Sequence, residues 1–327
     1  MTSLPGESRE PHEDALVAEI AAVMRQKLES DYAPASTKRD AHPKHSGLLE
    51  GHFTVEAGLP PELQVGVFAQ PRRYQAWIRT SSASGTIQSD AVPDVRGFAI
   101  KLLDVPGEKV PESDEPATQD FVLLSMSHMP LGTVRLFRDA IVLSTRWSPL
   151  LFVAKMLLTG RRRMLEALKA AKIRPTSPLD IRYWSTTPYR FGPDRVVKYS
   201  LLPHPHLPAP TPSPLGEAYL SEAMEEQLSK TSFSFDFAVQ FQQTDMPVEN
   251  AAVPWPESTA AFVKLATLTI PPQRFRTPER DRLSETLAFS PGHALVEHRP
   301  VGGINRARMH VYRANSKFRR ERAGLTP

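Results

Sequence analysis

Cysteine is missing altogether from this 327-residue chain. Its absence excludes a disulfide framework, a thiolate-bound zinc or iron–sulfur centre and a cysteine nucleophile. A membrane-spanning run is missing too. The longest apolar stretch, Pro149-Leu-Leu-Phe-Val-Ala154, is broken by Lys155 and resumes only at Met156-Leu-Leu158, whereas a spanning helix needs about 20 apolar residues. Its default reading is core packing, with a peripheral membrane contact or an apolar substrate as the other use. The segment Met1–Glu13 is polar and acidic, without a basic region followed by an apolar one. No secretion signal is read there, and a cytoplasmic location is expected. Gly-x-Gly-x-x-Gly and Gly-Lys-Ser/Thr loops do not occur, so nucleotide binding has no support. Nor is there a large charge excess: 40 Lys and Arg against 36 Asp and Glu leave +4. The basic residues are scattered, with dense spots at Arg161–Arg163 and Lys317–Arg322. Nucleic acid is therefore not an expected partner, and the mild positive charge suits an anionic ligand. Asparagine does not occur before Asn250.

A chain of this length buries roughly three-quarters of its unfolded surface and needs no covalent staples. Leu16, Ile20, Val23, Met24 and Leu28 recur at helical spacing over 14–30, with Asp14 as N-cap. Strands are predicted at Phe53–Val55, Gln64–Phe68, Tyr74–Arg79, Gly97–Leu103 and Asp120–Leu124. Helices follow at Val134–Leu143 and, as one longer element, Ser148–Ala171. Strands return at Val196–Leu202, Phe233–Phe241 and Ala261–Ile270, the second with every odd position apolar. The proline-laden stretch Pro203–Pro214 crosses between them in extended form. Helices at Pro278–Ala288 and Ile304–Arg322 end the chain. The expected organisation is an N-terminal helical arm, 1–36, and a single domain, 37–327.

Arg308 and Tyr312 stand one turn apart on that last helix. A guanidinium there stabilises a phenolate, a hard anionic ligand suited to ferric iron. Upstream lies Phe289-Ser-Pro-Gly-His-Ala-Leu-Val-Glu-His-Arg-Pro-Val-Gly-Gly-Ile-Asn-Arg-Ala-Arg-Met-His-Val-Tyr312. Near the start comes Arg39-Asp-Ala-His42-Pro-Lys44-His-Ser-Gly47, then Gly51-His-Phe53; further on come Trp77-Ile-Arg79-Thr80-Ser81, Pro93-Asp-Val-Arg-Gly-Phe-Ala-Ile-Lys101 and Arg138-Asp-Ala-Ile141. In this order the segments resemble the catalase superfamily, in particular its small catalase-like members, including catalase-related peroxidases and allene oxide synthase-type domains, over roughly residues 37–320.

The resemblance implies an α+β fold, an antiparallel β-barrel with flanking helices and haem b between barrel and C-terminal helix. It implies Tyr312 as ligand of ferric iron, an assignment in line with the tyrosine ligation of catalase, with Arg308 beside it. His42 is implied as the acid–base residue, with His45 as rival, and Ser81 as its hydrogen-bond partner. Arg39, Arg79 and Arg319 are implied as propionate partners, guanidinium being suited to carboxylate, and Leu143 as a neighbour of the porphyrin. Two departures stand out. Ala314 replaces an Asp usual two residues after the Tyr. The stretch Gln119-Asp-Phe-Val-Leu-Leu-Ser-Met-Ser-His-Met-Pro130 holds no Asn, although catalases pair one with the distal His; Ser125, Ser127 and His128 are the stand-in candidates. Losing one donor aimed at developing charge costs about 10²–10³ in rate. The expected function is therefore a haem peroxidase with weak or absent catalase activity. It would reduce hydrogen peroxide or organic hydroperoxides through a ferryl intermediate, using a small-molecule reductant. The alternatives are a fatty-acid hydroperoxide isomerase or lyase and a non-catalytic haem-binding protein. A homo-oligomer is compatible with all three.

Overall fold

The computed structural model describes residues 7–324. The chain opens with α1 (Glu13–Asp31), then four strands, β1 (His45–Val55), β2 (Arg73–Ser82), β3 (Arg96–Leu102) and β4 (Gln119–Leu124). Three helices follow, α2 (Val134–Arg146), α3 (Pro149–Leu158) and α4 (Arg162–Ala170). Then come β5 (Tyr183–Trp184), β6 (Tyr189–Phe191), β7 (Arg195–Pro203), α5 (Tyr219–Lys230), β8 (Phe233–Phe241), β9 (Val263–Ile270), α6 (Pro278–Thr286) and α7 (Gly303–Arg322). Sheet order is β5-β4-β3-β2-β1-β9-β8-β7-β6, all antiparallel, and a β5–β7 pairing closes it into an eight-stranded barrel.

The alternation along each strand decides what the barrel holds. Phe53, Tyr74, Ile78, Phe98, Ile100, Phe121, Leu123, Tyr199, Phe235 and Phe237 point inward and are buried together. Phe53, Phe121 and Phe237 pack ring to ring at 4.6–6.0 Å between centroids. The interior is thus a solid aromatic core, as small barrels are. The residues between these point outward. Helices α1, α2 and α7 pack on one another through Val17, Ile20, Met24, Val134, Ala307 and Val311.

Four local expectations are corrected. Gln64–Phe68 is not a strand: Gly66 has a φ of 54° and Gly66–Phe68 form a short 3-10 turn. Asp14 is not the N-cap but lies in the first turn of α1, behind His12. Ser148–Ala171 is two helices, because Gly160 takes a φ of 70° between α3 and α4. The apolar stretch 149–158 is not simply core. Phe152 and Met156 are buried against α2, while Leu150, Leu151, Leu157 and Leu158 face solvent. Helix α5 and strands β5 and β6 had no clear signal; α5 sends Met224 and Leu228 into the barrel core.

Candidate active site

The outward face of β2–β4 forms a wall. Strand register aligns Ser81 with Gly97 and Leu124, Arg79 with Ala99 and Val122, and Trp77 with Lys101 and Asp120. Ala99 and Val122, at its middle, are small and apolar and keep part of their surface accessible.

His42 lies over this wall. Its Nδ1 is 2.9 Å from Ser81 Oγ, and its carbonyl accepts a hydrogen bond from Arg79 Nη2 at 2.9 Å. Its φ of 57° is left-handed, a conformation that costs most residues energy and clusters at functional sites. The reason for Gly97 follows from contact. A Cβ there would lie 2.8 Å from the His42 ring and 2.7 Å from Ser81 Oγ. An interior strand glycine marks such a close approach; that signal was present in Arg96-Gly97-Phe98. Burial, then the fields of Arg79, Arg308 and Arg39, lower the His42 pKa to about 3, so its ring is neutral across the physiological range. Lys44, two residues on, pairs with the buried Asp90 at 2.8 Å.

Three arginines converge on the C-terminal end of α6. Arg39 donates to the carbonyls of Ser284 at 2.8 Å and Leu287 at 2.6 Å. Arg79 reaches Ser284 Oγ at 3.2 Å, and Arg319 reaches the Leu287 carbonyl at 3.3 Å. The Arg39 and Arg319 contacts satisfy carbonyls that a helix end leaves open. The cluster remains under-neutralised. Burial, and the repulsion of Arg79 and Arg319, hold the Arg39 pKa well below its usual range. Burial takes Arg79 down to about 10. Arg39 Nη1 is buried with no hydrogen-bond partner, although Glu285 lies 3.6 Å from it.

Helix α7 brings the remaining residues to the same region. Arg308, Tyr312, Asn315 and Arg319 recur at spacings of four, three and four and share one face. Asn315 Nδ2 donates to Asp40 at 3.0 Å, two residues before His42. Arg308 Nη2 lies 3.4 Å from the Tyr312 hydroxyl, and its Nη1 donates to Thr187 Oγ1 at 3.1 Å and Asn305 Oδ1 at 3.3 Å. Burial opposes the Arg308 charge, but Tyr312 and Tyr189 beside it raise its pKa. Tyr312 is half-buried. Thr187, Asn305, Asn315 and Gly97 were not singled out in advance as site residues; the first three act through contacts distant in sequence.

Other candidates lie apart. His45 opens β1, 3.7 Å from Asp281, and lines a groove of about 880 Å³ with Lys44, Phe275, Glu285 and Arg319; His42 and Tyr312 do not line that groove. Burial, then the field of Arg79, lowers the His45 pKa to about 4. Ser125 continues the β3–β4 ladder, its Oγ accepting from Arg96 N at 2.9 Å, and Ser127 bonds His128 at 3.1 Å. Among the described residues, neither these nor any Asn hydrogen-bonds His42. Arg138 pairs with Glu19 at 2.7 Å, and Leu143 packs towards Phe152 and Met156.

On the same outer wall Lys101 and Asp120 belong to a second buried cluster. Asp120 bonds His293 Nδ1 at 2.8 Å and Lys101 Nζ at 3.0 Å, Asp114 bonds His293 Nε2 at 2.7 Å, and Glu115 contacts Lys101.

The closed eight-stranded antiparallel barrel with its flanking helices is a catalase-like fold. Among solved structures, a fungal catalase determined at 1.9 Å is similar, with a TM-score of 0.69 and 16% sequence identity over 92% of this chain and 63% of that one. The chain therefore spans about 63% of the length of that catalase. At this identity the likeness is one of fold. No protein-family model matches the sequence, and no curated protein does.

Proposed function

We propose that the chain is a haem-dependent oxidoreductase of peroxides, working as a peroxidase and, at most weakly, as a catalase. The observation that carries this reading is a neutral His42 with one ring nitrogen fixed by Ser81 and its face against Gly97. With Nδ1–H donating to Ser81, Nε2 is left as a proton acceptor. His42 can then take the proton from the inner oxygen of a peroxide and return it to the outer oxygen, so that water or an alcohol leaves.

The residues present fit haem b. The half-accessible Ala99 and Val122 give a flat apolar surface, and the under-neutralised Arg39, with an unpartnered Nη1, calls for further anionic oxygens. Arg39, Arg79 and Arg319 would hold propionates. Tyr312, with the Arg308 guanidinium 3.4 Å from its hydroxyl, would give the iron an oxygen ligand. Haem supplies the electron exchange that none of these side chains can. On this reading residues 37–327 are the haem domain and 1–36 an N-terminal arm, whose helix α1 packs against α2 and α7.

The lack of an Asn beside His42 favours a second reading, rearrangement of fatty-acid hydroperoxides without a donor, because peroxide dismutation loses its usual polarising group.

The test is spectroscopic and kinetic. Protein reconstituted with haem b should show a ferric high-spin spectrum with a tyrosinate ligand, altered or lost in Tyr312→Phe. It should oxidise a chromogenic donor with peroxide, release little oxygen, and lose turnover in His42→Ala. Consumption of a fatty-acid hydroperoxide without donor would move the assignment to the second reading. Colourless protein under excess haem would overturn both.

A further inference from the structure

Helix α3 and Trp147 before it carry an apolar face that the described residues leave uncovered. Phe152 and Met156 bind α3 to α2, and Met164, Leu165 and Leu168 bring α4 against the same cluster. Among the described residues, the opposite side of α3 has no apolar neighbour. Leu158 is 89% exposed, Leu150 75%, Trp147 73% and Leu157 54%, with Leu151 beside them. Five large apolar residues within twelve positions form a patch beyond the single apolar residues any surface carries.

The charge around this face is equally uneven. From Ile141 to Arg174 the chain holds eight Lys and Arg and one acid, Glu166. That segment is net +7 while the whole chain is +4, so the rest of the chain is net −3. Arg161, Arg162 and Arg163 stand at the turn after Leu158, Arg146 just before Trp147, and Lys169 and Lys172 on and after α4, all exposed. Two of the cations are neutralised nearby, Lys155 by Asp139 at 2.7 Å and Arg162 by Glu166 at 2.9 Å. Among the described residues Arg146, Arg161, Arg163, Lys169 and Lys172 have no ion-pair partner.

We propose that α3 and its flanking turns dock the protein on an anionic lipid bilayer, leucines and Trp147 in the headgroup–acyl boundary and arginines on the lipid phosphates. The occupant follows from the pairing of features. Leucine side chains gain by leaving water for acyl chains, an indole favours the interface between, and unpaired cations ringing the apolar face match a negative surface. A second copy of this chain would offer the same positive face and repel it. The helix is too short to span, so it lies in the surface. The attachment also touches the site: α3 is fixed to α2, which packs on α7, the helix of Tyr312. The proposal stands on this surface alone and holds whatever reaction the protein performs.

Co-sedimentation of the purified full-length protein with vesicles tests it. Vesicles with about a third phosphatidylglycerol should bind it at low salt, and phosphatidylcholine vesicles at least tenfold less; binding should fall as salt rises. Leu150→Asp with Leu158→Asp should weaken binding more than tenfold. Arg161→Gln with Arg162→Gln and Arg163→Gln should weaken it on the order of a hundredfold. Brominated lipid should quench Trp147 fluorescence in the native chain but not in Trp147→Phe. All these positions are exposed, so circular dichroism should stay unchanged. Absence of binding at low salt overturns the proposal, as does binding that the leucine variants leave intact, which would mean adsorption without insertion. Self-association lost in the leucine variants, without vesicle binding, assigns the face to a second copy and overturns it too.

Discussion

His42 and His293 are both enclosed histidines with Nδ1 engaged, and they lie at opposite ends of the protonation scale. Around His42 the charged neighbours are Arg79, Arg308 and Arg39; burial and their fields take its pKa to about 3. Around His293, burial alone would also lower the pKa, but Asp120 and Asp114 raise it to about 9. Enclosure pushes both rings toward neutrality, and the sign of the nearest charge decides whether it succeeds. One ring is neutral near pH 7; the other stays protonated inside an ion cluster.

The sharpest way to break this comparison is Asp120→Asn. Asp120 is fully buried and holds both Lys101 and His293, so removing its charge leaves each buried cation with only its second partner, Glu115 or Asp114, at a cost of about 3–5 kcal/mol, read from the denaturant midpoint. The pH dependence sharpens the same point. His293 stabilises the fold fully below its unfolded value of 6.5, and that contribution is lost as pH rises through about 9. Asp114, lowered to about 2 mainly by its bond to His293, contributes above 3.8 and loses it as pH falls through about 2. His42 acts the other way on the acid side. Below 6.5 the unfolded chain takes up a proton that the folded one refuses until about 3, so stability falls over that interval. Asp120→Asn should flatten the alkaline loss and leave the acid one caused by His42.

Gly97→Ala is next in size. The added methyl meets the His42 ring and Ser81 Oγ. Displacing an acid–base group by about 1 Å costs on the order of 10² in rate, against an overpacking cost of about 1–3 kcal/mol. Turnover falling no more than stability would mean that the ring position is unimportant. Ser81→Ala should be milder, about a tenfold loss in turnover by freeing the ring tautomer, with partial recovery in Ser81→Thr. His45→Ala should be smallest, with turnover within about twofold of the native chain, because His45 faces Asp281 and the outer groove. A large loss there would move the acid–base role from His42 to His45.

Much of the barrel was legible because strand alternation is local. Phe233–Phe241 is a strand with the predicted inward residues, and α7 runs within a residue of its expected limits. Short elements were not: two-residue β5 has no period to read, and it exists because β7 offers it a ladder. Gln64–Phe68 looked strand-like in composition, but Gly66 adopts a left-handed backbone against His298. At the candidate site, His42, Ser81, Arg79, Arg308 and Tyr312 were proposed from the sequence because each sits in a recognisable segment. Their supports were not. The Asn315–Asp40 bond joins residues 275 apart, and that between Thr187 and Asn305 joins residues 118 apart. Such partners are set by how α7 lies along the barrel, and sequence spacing carries no trace of that. The surface character of α3 was hidden for a similar reason: an apolar run reads the same whether a neighbour covers one side or both.

The aromatic filling of the barrel has a consequence for traffic. Phe53, Phe68, Phe121 and Phe237 plug the lumen from wall to wall, so no molecule reaches His42 by that route. On the proposed function, a substrate of His42 would come from the outer side of the barrel, where the ring lies against Ser81 and Gly97. On that reading the helices outside the barrel would govern admission, and a change on α7 would alter which molecules enter while the barrel itself stands untouched.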